Sequence, residues 1–100
     1  MPNRMYEKGA RREREIVNKF KGKGNYAVRT AGSHSNFDVI AIEGFKLRLI
    51  QVKGSKMKIT PLNLPSQLDV FQELWYKKKG KWIIQELKGQ TFIYDGPKLP

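Results

Sequence analysis

Two carboxylates, an amide and a lysine fall where the surrounding pattern asks for apolar side chains. Glu13 lies in the stripe that Ala10, Ile16, Val17 and Phe20 form at helical spacing. Asp38 heads an alternating run that continues through Ile40 and Ile42, and Gln51 and Lys53 end one that begins with Leu47 and Leu49. A charge taken out of water without a partner is strongly disfavoured, so each of these groups needs a reason for its position. One reason is an ion pair with Arg29, Arg48 or Lys53. The other is a site of hard oxygen ligands, which suits magnesium or manganese. A lysine beside it would orient or deprotonate a water, or stabilise charge developing on a phosphate. Zero cysteines exclude a thiolate metal site, a Cys nucleophile and a disulfide framework, and His34 as the one histidine leaves no His cluster or His-dependent triad.

Bringing these groups together requires specific elements. The spacing predicts a helix from Glu7 to Lys21, stopped by Gly22 and Gly24. A strand follows over Tyr26 to Thr30, then a polar loop from Ala31 to Asn36. Phe37 to Glu43 and Lys46 to Lys53 read as the arms of a hairpin about Gly44 and Phe45, which sets Asp38 opposite Gln51. Glu43 alternates to the face away from Asp38. Pro61 and Pro65 keep the next stretch irregular. Ser66 with Asp69 gives a capping pattern for a second helix to Lys79, with Leu68, Phe71 and Trp75 as its apolar face and Val70 and Leu74 beside them. On that reading Lys77, Lys78 and Lys79 occupy a helix C-terminus, where the dipole favours cations. Strands from Trp82 to Leu87 and from Gln90 to Tyr94 close the chain. The expected order is αβββαββ, an α/β (α+β) domain spanning 1–100 with a mixed central sheet flanked by helices.

Composition sets the partner. A chain of 100 residues, 39% apolar and 29% charged, is expected to form one soluble domain. Its 20 Lys+Arg against 9 Asp+Glu leave a net charge of +11, which points to a polyanion, nucleic acid first. A lysine-rich chain from a hot environment would share the composition without such a partner. The excess is uneven: residues 1–60 carry 14 Lys+Arg against 5 Asp+Glu, and residues 61–100 carry 6 against 4. Arg4, Lys8, Arg11, Arg12, Arg29, Lys56 and Lys58 are the candidate phosphate contacts, and His34 stands in a loop that could reach DNA. No stretch has the length and apolarity of a membrane span, and the N-terminus has no apolar signal core, so the expected location is the cytoplasm.

Four segments together resemble a known family. Tyr6-Glu7-Lys8-Gly9-Ala10 through Glu13-Arg14-Glu15-Ile16, then Val28-Arg29-Thr30-Ala31-Gly32-Ser33, then Asp38-Val39-Ile40-Ala41, and Ile50-Gln51-Val52-Lys53 occur in the order and spacing of the archaeal Holliday junction resolvases, of the PD-(D/E)XK nuclease superfamily. The resemblance covers residues 6–56 well and the remainder loosely. It implies a restriction-endonuclease-like core and Mg- or Mn-dependent hydrolysis of DNA phosphodiesters, with a homodimer nicking two strands of a four-way junction. Glu13 then looks like the helix glutamate near the metal, Asp38 like the main metal ligand, Lys53 like the lysine that assists the attacking water, and Ser33 like the loop serine near the scissile phosphate. Gln51 departs from the family's glutamate in E-x-K. Its amide carbonyl can ligate a hard cation but adds no charge. Phe71, Trp75, Tyr76, Phe92 and Tyr94 are either core or a surface for the second copy. Two other readings stay open: a nuclease for flaps, other branched DNA or duplex, and a DNA-binding module whose site has decayed at Gln51.

Overall fold

The computed structural model describes residues 4–30, 37–58, 63–64, 70–87 and 91–94, with side chains described within residues 9–87 of these ranges. Helix α1 runs over Arg4–Gly22. Its end is set by Gly24, whose φ of 80° lets the chain turn back: Asn25 N–H donates to Phe20 O at 3.0 Å and Gly24 N–H to Lys21 O at 2.9 Å. This Schellman pattern satisfies carbonyls that the helix would otherwise leave open.

Six strands follow among the described residues: β1 (Tyr26–Arg29), β2 (Val39–Glu43), β3 (Lys46–Val52), β4 (Val70–Lys78), β5 (Lys81–Glu86) and β6 (Thr91–Tyr94). They form one sheet in sequence order, antiparallel throughout except for the parallel pair β3 and β4. A parallel neighbour cannot be reached by a tight turn, and residues 53–69 make that crossover. The β2–β3 hairpin closes on Gly44 and Phe45, with Glu43 across from Lys46 and Gly44 at φ 62°. Glycine at the first central position of a two-residue loop matches the twist of the flanking strands.

The sheet is covered on one face by α1. Ile16, Val17 and Phe20 press onto Ala27, Val39, Ala41, Ile50, Val52, Trp75, Trp82 and Ile84. Phe20 and Trp75 lie with ring centroids 6.0 Å apart, and Trp82 meets Trp75 edge-on at 5.6 Å. Aromatic pairs in these arrangements add to the stabilisation from burial alone. A buried polar group sits under them. Arg48, on β3, bonds Glu73 on β4 through Nε and Nη2 at 3.0–3.1 Å and reaches Glu43 at 3.3 Å, with Trp75 Nε1 also donating to Glu73.

One predicted element is wrong. The helix expected from Ser66 to Lys79 is, over its described part, strand β4; Ser66, Leu68 and Asp69 lie outside the described residues. Gln72 to Tyr76 are buried without a break, as happens in a strand covered on both faces and hydrogen-bonded to a neighbour on each side. Such a run has no period-two alternation, and the chance three- and four-residue spacing of its apolar side chains imitates a helix. Trp75 and Tyr76 are accordingly core, not a surface for a second copy. Phe71 is half-buried, with Lys46 Nζ 5.4 Å from its ring centre. The Phe92 and Tyr94 side chains lie outside those described.

Candidate functional site

The site lies at the end of the sheet remote from the Gly44 turn. Strand β2 begins at Val39, paired with Ile50, and Asp38 is the next residue outward. Asp38 N–H donates at 2.8 Å to the carbonyl of Ile50, the residue already paired with Val39, so two residues of this strand oppose one of β3 and the ladder bulges at Asp38. Beyond it the ladder is completed by a side chain: Val52 N–H donates to Asp38 Oδ2 at 2.8 Å. This bond holds the carboxylate beside the strand segment Gln51-Val52-Lys53. On the other flank, Thr30 N–H donates to Asp38 O at 3.0 Å, and Thr30 Oγ1 donates to Phe37 O. Lys53 is half-buried, its N–H bonded to Trp75 O at 3.0 Å. Asp38, Gln51 and Lys53 thus lie at one end of the β2–β3 pair, with the bulge displacing Asp38 from the regular register that the hairpin count expects.

Glu13 reaches the same end from α1. Its Oε1 accepts from Arg29 Nε at 3.0 Å, and Arg29 is paired across the sheet with Val39, the neighbour of Asp38. Of the three cations considered for Glu13, the structure selects Arg29. The path of the chain accounts for the choice: α1 ends beside the start of β1, where Asn25 N–H bonds Phe20 O, and Glu13, about two turns earlier in the helix, meets Arg29 at the far end of β1. Glu43, by contrast, points to the helix face and bonds Arg48, away from Asp38.

The basic candidates divide. Arg12 is half-buried, and its Nη1 lies 3.5 Å from where a Cβ on Gly54 would be, so its guanidinium stands beside the residue that follows Lys53. Arg11 is exposed and lines an open depression on the outer side of α1 with Arg14, Glu15, Asn18 and Lys19. Lys56 and Lys58 are exposed. Arg29 is bound to Glu13. Ser33 and His34 lie outside the described residues, as do the side chains of Arg4 and Lys8.

Among the described residues no three Asp, Glu, His or Cys side chains converge as a metal cage. The oxygen donors carried by this strand end are the Asp38 carboxylate and the Gln51 amide. That set fits magnesium, which usually keeps several waters and is held by one or two carboxylates together with substrate phosphate oxygens.

Sequence inspection missed the role of Glu15. Its Oε2 accepts from Lys77 Nζ at 2.9 Å and its Oε1 from Trp82 Nε1 at 3.2 Å, tying the β4–β5 hairpin to the half of α1 that carries Glu13. The signal available was Lys79-Gly80 between two aromatic-rich runs, a two-residue hairpin loop, which the helix reading had absorbed.

Comparison with known proteins identifies the family and the fold. The family model for archaeal Holliday junction resolvase (Hjc) matches residues 4–88. Among solved structures, the fold is similar to Archaeoglobus fulgidus Hjc, a Holliday junction resolvase from an archaeal hyperthermophile, with a TM-score of 0.58 and 23% identity over 88% of this chain and 84% of that one. No curated protein matches.

Proposed function

Because the chain belongs to the archaeal Holliday junction resolvase family and is by that membership an endonuclease acting on branched DNA, we propose that its nuclease centre is the Asp38 end of the sheet, in a single domain. The observation that carries this reading is the Asp38–Val52 hydrogen bond, which holds a carboxylate against Gln51 and Lys53 in a field of +11 net charge. Asp38 and the Gln51 carbonyl are the residues that would hold Mg2+ or Mn2+. When bound, such a cation polarises the scissile phosphate and acidifies a water for attack. Lys53 supplies a positive donor at the same point, able to orient that water or to stabilise charge on the phosphate. Glu13 acts from beside the site through Arg29, fixing the flank of β1 next to Asp38. Ser33, by the family resemblance, stands near the phosphate. Arg4, Lys8, Arg11, Arg12, Lys56, Lys58 and His34 hold the DNA backbone around it. Action on branched DNA supports a cytoplasmic location, and no helix among the described residues is long and apolar enough to cross a membrane.

Two cuts on one junction need two sites, so the working form is a homodimer. Support for this comes from the small size of the domain and from Tyr26, Val28 and Ile42, exposed apolar side chains on the sheet face away from α1. Incubating the protein with an end-labelled four-way junction and Mg2+ or Mn2+ is expected to give paired, symmetric nicks. Junction binding without cleavage under either metal overturns the nuclease assignment, and uncoupled single nicks overturn the dimer.

Gln51 makes a separate prediction. Replacing it by glutamate adds a charge to the metal ligands, and ligand charge is a main determinant of affinity for hard cations. Gln51→Glu is expected to lower the Mg2+ concentration for half-maximal cleavage by about 10- to 100-fold, at least the range over which even outer-shell partners alter metal affinity. A titration curve unchanged from wild type would remove Gln51 from the metal site.

A further inference from the structure

The turn joining β4 and β5 is a cationic projection on the site end of the sheet. Strand β3 ends its pairing with β4 at Val52 and Trp75, whereas β4 runs on through Tyr76, Lys77 and Lys78. At about 3.3 Å per residue the β4–β5 hairpin extends ~10 Å beyond Val52, the last residue of β3. Lys78 pairs with Lys81, and Lys79 and Gly80 form the two-residue loop between them. Lys78 and Lys79 are exposed and make no ion pair among the described residues.

Three observations separate this turn from an ordinary solvated lysine run. It is held in place: Lys77 and Trp82, at the base of the projection, both bond Glu15 on α1, and Lys77 Nζ lies 5.1 Å from the Trp82 ring centre. It continues an existing basic surface, since Glu15 also lines the depression with Arg11 and Arg14. And lysine is not what the turn itself asks for. Lys79 has φ 53° and Gly80 φ 77°, the type I′ geometry that favours Asn or Gly at the first position; among the described residues Lys79 is the one non-glycine with positive φ.

We propose that Lys78 and Lys79 contact the phosphate backbone of a DNA arm entering the Asp38 site, an inference that rests on the nuclease reading above. The contact is electrostatic and indifferent to base sequence, because two lysines on a tight turn reach phosphates without presenting a helix or ribbon to a groove. It positions DNA and takes no part in hydrolysis.

The test measures junction affinity by fluorescence anisotropy from 50 to 200 mM NaCl in metal-free buffer, so that binding is read without cleavage. Three proteins are compared: wild type, Lys78→Ser with Lys79→Asn, and Lys21→Ser with Lys23→Ser. Asparagine suits positive φ, and the Lys21/Lys23 pair removes equal charge from the opposite end of the sheet. Each lost phosphate contact makes the slope of log K against log salt shallower by about 0.9. The turn variant is therefore expected to flatten it by about 1.8, so that its affinity deficit shrinks about tenfold across this range, while the Lys21/Lys23 variant keeps the wild-type slope. Should the double variant fail to fold by circular dichroism, Lys78→Ser alone is expected to give half the slope change. A wild-type slope in a folded turn variant overturns the proposal, as does an equal loss in the Lys21/Lys23 protein, which would make the effect one of net charge. Failure of wild type to bind the junction at all would overturn the parent reading with it.

Discussion

Asp38→Asn is expected to reduce junction cleavage by about a thousandfold or more while leaving the fold intact and DNA binding unchanged or tighter. The magnitude is that of removing a charged group aimed at the reacting centre of a preorganised site. The choice of asparagine matters because Asp38 does two things. Its carboxylate supplies the one full negative charge among the proposed ligands, and its Oδ2 completes the β2–β3 ladder by accepting from Val52 N–H. An asparagine carbonyl can keep the second role and loses the first. Alanine loses both, leaving the part-buried Val52 N–H without its acceptor, which costs about 1–3 kcal/mol. The two variants should therefore agree in cleavage and differ in thermal stability, Asp38→Ala melting lower. Binding is expected to hold or improve because a negative charge next to a phosphate is gone. Cleavage by Asp38→Asn within tenfold of wild type, measured on the same labelled junction, would place the chemistry elsewhere.

The parts of this protein that its sequence discloses are those decided locally. A half-buried helix shows its stripe, and strands β1 to β3 show alternation or a glycine turn, so the register of Val39 with Ile50 follows from counting residues about Gly44, whereas the bulge at Asp38 does not. What fails is what depends on a partner far along the chain. Strand β4 is buried on both faces because β3 lies on one side and β5 on the other, and its own residues record neither neighbour. The error over Ser66 to Lys79 then carried Lys77–Lys79 into a helix end and hid the hairpin turn. Arg29 could be named as one of three partners for Glu13, but choosing it required knowing where α1 crosses the sheet. Arg48 and Glu73 are separated by 25 residues, and nothing at either position announces the other.

Arg48→Met is expected to destabilise the protein by about 3–5 kcal/mol, the range for removing one partner of a buried ion pair. Against a total stability of roughly 5–15 kcal/mol for a domain of this kind, that is a large fraction. Arg48 is 3% exposed and Glu73 4%, and Arg48 also lies over the Phe20 and Trp75 rings at 5.2 and 5.7 Å. Without the guanidinium, the side-chain donor left to Glu73 among the described residues is Trp75 Nε1. The deficit should depend on pH in a defined sense. Burial raises the Glu73 pKa above its ordinary value of 4.5, with Arg48 and Trp75 opposing the shift and Glu86 adding to it. A carboxyl with a raised folded pKa favours the folded state below its unfolded pKa, and that contribution is lost as pH rises through the folded pKa. Removing Arg48 takes away the main opposing influence, so the folded pKa climbs further and the loss at neutral pH grows. Acidification from pH 7 towards 5 is thus expected to narrow the gap in melting temperature between wild type and Arg48→Met, where the same gap at both values would show that an uncompensated Glu73 charge is not the cause. Replacing both residues, Arg48→Met with Glu73→Leu, should recover much of the stability, since well-packed apolar side chains commonly substitute for a buried pair. Because Arg48 points into the core while Gln51 and Lys53 alternate to the other face of β3, either variant, assayed at a temperature where it is folded, is expected to cleave junctions at close to the wild-type rate.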